Sequence, residues 1–239
     1  MRDAVETIEY RGYTIKIYPD EELSNPRTEF DHLGTLVCWH RRYNLGDEQP
    51  GGDPDDFLRT LAAGHVPFDT ENLAMETVWK ILDRHYLFLP LYLYDHGGIT
   101  ISTGPFSCPW DSGQVGWAYI SHADIRKEYG VKCVRHCYRD HNGKNRGKAI
   151  DVAKALLKSE VEEYDDFLTG NVYGYVVKDK DGESLDSCWG FFGDVKYAIS
   201  EAKSAADGKI TAIRKAHWEQ LKAWIRNKVG LQHRTPCLA

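Results

Sequence analysis

Apolar and polar residues alternate from the start of the chain. Thr7-Ile8-Glu9-Tyr10, a break at Gly12, and Tyr13-Thr14-Ile15-Lys16-Ile17-Tyr18 predict a β-hairpin. A polar stretch over 19–31 follows, and Thr35–Trp39 reads as a third strand. Residues 44–55 (NLGDEQPGGDPD) carry the strongest loop signal. Asp53 or Asp55 is placed to cap a short helix over 56–63, with Pro54 near its first turn. Leu73, Val78, Ile81 and Leu82 share one face of a second helix over about 71–86.

Residues 87–94 (LFLPLYLY) predict a strand that turns at Gly97-Gly98 into Ile99–Ser102. Pro90 donates no ladder hydrogen bond, so that strand is expected at an edge or with a bulge. Val115–Ile120 predicts a further strand, and Ser121 is expected to cap a helix that ends at Gly130. Ile150, Ala153, Leu157, Val161, Tyr164 and Leu168 recur at helical steps, predicting a long amphipathic helix over 146–169 with a stop at Gly170. A hairpin over 172–177 and 184–192 follows. Two helices are then expected, over 194–206 and 209–229, the second striped by Ile210, Ile213, His217, Leu221, Trp224 and Ile225. Hairpins and about five helices without βαβ alternation predict an α+β fold of antiparallel strands. A single domain over 1–239 is favoured, with the 44–54 loop as the candidate seam.

Composition narrows the function classes. Hydrophobic residues make up 42% and aromatics 12%, too many for a disordered chain. There is no apolar run long enough to span a bilayer and no apolar leader, so the expectation is a cytoplasmic protein without a membrane partner. The net charge of −6 hides asymmetry. Residues 195–239 carry nine bases against three acids, leaving −12 for the first 194 residues, and within those 124–148 carry eight bases against three acids.

Six cysteines (Cys38, Cys108, Cys133, Cys137, Cys188, Cys237) at irregular spacings are expected to be reduced and mostly buried. Cys133, Cys137 and His141 lie at i, i+4 and i+8, and with Cys108 they make a candidate Cys₃His zinc set. The turn at 140–143 works against the helical alignment this requires, and favours buried cysteines beside a solvated turn. Cys108, with His96 and His122 on neighbouring elements, is a candidate nucleophile, although Pro109 removes the backbone N–H best placed as an oxyanion donor. Its alternative is a rigid loop packed down by Trp110 and Trp117.

The basic island interleaves Arg126, Lys127, Arg135 and Arg139 with Tyr129 and Tyr138, a pattern suited to phosphate contacts and base stacking. A solvated loop is the alternative, because charge runs usually face water. Glu160, Glu162, Glu163, Asp165 and Asp166 form an acidic cluster expected to face solvent. The favoured contact site joins the loop Cys108–Asp111, including Trp110 and Asp111, with His40, Arg41 and Arg42, because unusual chemistry in loops marks sites.

Three segments, FDHLGTLVCWHRRYNLGD (30–47), PFSCPWDSGQVGW (105–117) and SCWGFFGD (187–194), resemble a family of proteins carried by bacterial and archaeal phages, plasmids and integrated elements. That family has no established activity, so the resemblance transfers no catalytic residue. It implies an accessory protein in the host cytoplasm that binds a host protein or nucleoprotein without catalysis, for instance in counter-defence against CRISPR or restriction systems. Two other readings stay open: a nucleic-acid or nucleotide-binding module using 126–148, and a zinc- or cysteine-dependent enzyme around Cys108.

Overall fold

The computed structural model describes residues 3–228. Along the chain lie β1 (Glu6–Tyr10), β2 (Tyr13–Pro19), the one-turn α1 (Pro26–Glu29), β3 (Thr35–Cys38), α2 (Pro54–Ala63) and α3 (Met75–His85). Next come β4 (Tyr86–Asp95), β5 (Ile99–Ser102), β6 (Ser112–Ser121), α4 (His122–Tyr129), β7 (Cys137–Arg139) and β8 (Asn145–Lys148). The remainder is α5 (Ala149–Thr169), β9 (Val172–Lys178), β10 (Ser184–Phe192) and α6 (Val195–Lys228). All the strand pairs are antiparallel and the fold is α+β.

The chain divides into two units: residues up to Glu21 with those from Val172 onward, and Glu22–Asn171 between them. The 44–54 loop lies inside the second unit. In the first unit, four strands run in the order β1-β2-β9-β10. Ile15, Ile17, Tyr175 and Val177 point to one face of the sheet and pack against Ala198, Ala202 and Ala206 of α6. Side chains without a γ-carbon let the helix lie close on the strands. Helices expected over 194–206 and 209–229 are one continuous α6 as far as Lys228. Gly208 is tolerated because a helical glycine costs only about 1 kcal/mol relative to alanine. From Thr211 to Lys228 almost every residue is exposed, so Ile213, Leu221, Trp224 and Ile225 do not enter a core.

In the second unit the sheet order is β3-β6-β4-β5. Alternation sends Leu89, Leu91, Leu93, Ala118 and Ile120 to one face, under Ala153, Leu157, Val161 and Tyr164 of α5. The opposite face carries Phe88 and Trp117 beneath Leu58, Val78 and Leu82 of α2 and α3. Several local signals resolve as expected. Asp53 accepts from the Asp55 N–H at the start of α2, Ser121 caps α4, and Gly130 and Gly170 end α4 and α5 in the left-handed conformation. Pro90 lies beyond the reach of β5, which pairs only with Tyr92–Asp95, and the β4–β6 ladder shifts register between Leu91 and Tyr92. Gly116 has a packing reason: a β-carbon there would stand 1.9 Å from the Val37 carbonyl oxygen. β3 and β6 could not then keep their pairing.

Candidate functional site

The chain leading to the site is pinned by an ionic network centred on the buried side chains of Arg27 and Glu160. Arg27, its side chain 2% exposed, donates from Nε to Asp47 Oδ1 at 2.8 Å and from Nη2 to the Gly34 carbonyl at 2.6 Å. Its Nη1 lies 3.4 Å from Glu160 Oε2 on α5. Glu160 also accepts the backbone N–H groups of Leu33 (2.9 Å) and Gly34 (3.0 Å), and Asp47 accepts that of Leu36 (2.7 Å). Burial alone would lower the Arg27 pKa, but the hydrogen bonds and charge of Asp47 and Glu160 raise it. A β-carbon on Gly34 would meet Leu157 at 2.2 Å and Glu160 Oε2 at 2.8 Å, which explains the glycine. Charges this well satisfied hold a chain in place. Much of the 30–47 motif therefore does structural work. Glu160 departs from the expected solvent-facing acidic cluster, and so does Asp165, which accepts from Thr100 Oγ1 (2.6 Å) and the Ile101 N–H (2.7 Å).

So anchored, β3 delivers 39–43 to one end of the sheet. His40 Nδ1 accepts the backbone N–H groups of Arg42 (3.3 Å) and Tyr43 (3.2 Å), which leaves the ring proton on Nε2. The ring stacks on Tyr43 with centroids 4.9 Å apart. Arg42 donates to Asp95 and lies over the Tyr43 ring, while the exposed Arg41 has no acidic partner among the described residues. Trp39, His40, Arg41, Arg42, Gln49 and Gln114 line a cleft of about 1120 Å³. The Trp39 Nε1 is buried without a protein acceptor. The cleft is thus rich in donors.

The loop before β6 reaches the same end. The Asp95 N–H donates to the Asp111 carbonyl at 2.8 Å, Ser112 Oγ donates to the Cys108 carbonyl at 2.5 Å, and His96 Nδ1 lies 3.3 Å from Asp111 Oδ2. Cys108 Sγ donates to that same oxygen at 3.7 Å. Cysteine catalysis needs an imidazole on the thiol; here a carboxylate stands there instead. His122, expected nearby, starts α4 at the far end of β6, with Nδ1 2.9 Å from the Arg84 carbonyl. Trp110 is not packed down by its loop; it is 91% exposed. The two halves of the expected contact site therefore meet at one sheet end through Asp95, although Cys108–Asp111 do not line the cleft itself.

Other expected residues fall elsewhere. Cys133 lies in the turn before β7, Cys137 on β7 and His141 in the β7–β8 turn. Among the described residues no group of three or more His, Cys, Asp and Glu side chains is arranged to hold a metal, so Cys108, Cys133, Cys137 and His141 are not gathered into the proposed zinc set. Of the five described cysteines only Cys38 is buried; burial and the charge of Asp47 push its thiol up to about 12, which makes it inert. Cys137 and Cys188 are exposed, contrary to expectation, and Cys237 lies outside the described residues. Arg126 and Lys127 sit in the last turn of α4, and Arg135 and Arg139 beside and on β7, away from the cleft's lining. Among the described residues no helix is long and apolar enough to cross a membrane. No family model, curated protein or solved structure matches this chain.

Proposed function

We propose that this is a non-catalytic accessory protein of a phage or other mobile element that binds a host protein or nucleoprotein through the cleft end of its second unit. The observation that carries the reading is Trp110, 91% exposed on a loop tied through Asp95 to the donor-lined cleft. Tryptophan and arginine are the usual anchors of interfaces; tryptophan buries a large area with only two rotatable bonds to fix. Arg41 and the Nε2 of His40 suit an acidic group of the partner, with Trp110 seated in an adjoining apolar hollow. Counter-defence against CRISPR or restriction systems is the host process such a protein would act upon.

The test is affinity capture from host lysate on the immobilised full chain, run beside Trp110→Ala and Arg41→Glu. A stoichiometric partner is expected on the wild type, with affinity falling about tenfold or more in either variant. No stoichiometric partner, or equal retention by all three proteins, overturns the reading.

A further inference from the structure

The segment from α4 to β8 keeps its charge unspent. Among the described residues, Arg146 alone of its eight cationic side chains has an acidic partner, Asp140 at 2.7 Å. Asp140 is otherwise consumed by its own turn, accepting the Asn142 and Lys144 N–H groups, and these contacts hold its carboxyl below the usual range despite the opposing cost of burial. Asp124 is engaged with Ser121 at the start of α4. Arg126, Lys127, Lys132, Arg135, Arg139, Lys144 and Lys148 are all exposed. Pairing of Cys137 with Lys148 puts Lys148 on the outer side of the hairpin, which it shares with Arg139.

The aromatic residues of this segment point the other way. Tyr129 and Tyr138 pack on the core of the second unit with ring centroids 4.8 Å apart. A single-strand binder needs aromatic faces open to bases. Here the rings are turned in and the charges turned out, which leaves phosphate contact without a stacking platform. We infer that the α4–β8 face docks on the phosphate backbone of duplex nucleic acid, independently of base sequence. The rest of the second unit is acidic overall, so within that unit a polyanion meets attraction on this face and repulsion elsewhere.

The experiment is fluorescence anisotropy with a labelled 20-base-pair DNA duplex and its separated strand, using the full chain from 50 to 200 mM salt. Duplex binding should weaken with salt at a log–log slope of about −4.5, the value for about five phosphate contacts. Replacing Lys132, Lys144 and Lys148 by alanine should flatten the slope by about 2.7. An unchanged melting temperature would show that the variant is folded, and Lys144→Glu at the hairpin turn provides a second, less invasive variant expected to bind more weakly. No anisotropy change at 50 mM salt, tighter binding of the single strand, or equal binding by the variants overturns the inference.

Discussion

The two units build their cores from different materials. The first packs strand residues against a stripe of alanines, Ala198, Ala202 and Ala206, so its main requirement is that nothing widen the helix–sheet gap. The second adds the buried Arg27–Glu160 pair, joined by the more exposed Asp47, to a sheet packed under α5 on one face and under α2 and α3 on the other. Apolar packing tolerates partial loss. A buried charge that loses its partner has no such latitude, because the remaining charge is left desolvated. The second unit is therefore the one a single polar substitution should unfold.

The largest expected effect comes from breaking the network. Arg27→Met leaves two carboxylates without their cation and should cost about 3–5 kcal/mol, read as a lower denaturant midpoint for the second unit. A loss below about 1 kcal/mol would remove the contrast between the units. Next in size, Ala202→Leu forces extra methylenes beneath α6 and should cost about 1–3 kcal/mol in the first unit. The same change at exposed Ala212, farther along the same helix, should stay within about 0.5 kcal/mol. Equal effects at the two positions would contradict the alanine stripe as the packing surface.

The smallest effect is pH-dependent. Burial lowers the His122 pKa; its hydrogen bond to the Arg84 carbonyl opposes this, and Arg126 and Arg135 reinforce it. The folded chain thus holds this imidazole neutral at a pH where the unfolded chain has already bound a proton. The resulting stability is present above about pH 6.5 and is lost as pH falls toward the depressed folded value. His122→Asn should shrink the drop in melting temperature between pH 7 and pH 5, and hydrogen exchange should place the wild-type loss in the second unit. An unchanged pH profile would assign the acid sensitivity to other groups.

Local signals were legible in the sequence where the physics is local. Asp53 and Ser121 cap the helices they were expected to cap, Gly170 ends α5, and the turns at Gly12 and Gly97-Gly98 join the expected strands. Pairings between distant positions were not legible. Glu160 looks like one more acid on a charged helix, and its partner Arg27 lies 133 residues earlier. Helical periodicity likewise reports that Ile213, Leu221 and Trp224 share a side, but carries no information on whether anything covers it. The short β7–β8 hairpin escaped because β8, Asn145-Arg146-Gly147-Lys148, has no apolar residue to alternate. At the candidate site, residue types singled out His40–Arg42 and Trp110, which the fold brings to one sheet end. The carboxylate neighbour of Cys108 is visible only in the fold.

The pairing of β2 with β9 has a consequence for synthesis. The hairpin β1–β2 leaves the ribosome well before β9, the strand that pairs with β2, which follows only after residues 22–171. At about 5–20 residues per second that wait lasts roughly 8–30 seconds. An isolated two-stranded hairpin is marginal in water. For that interval the backbone donors and acceptors on the free side of β2 have no partner, and by its end the intervening unit has every strand of its own. The nascent chain thus passes through a stage with one sheet finished and an open edge waiting. That stage is when the protein is most exposed to mispairing with another copy of itself.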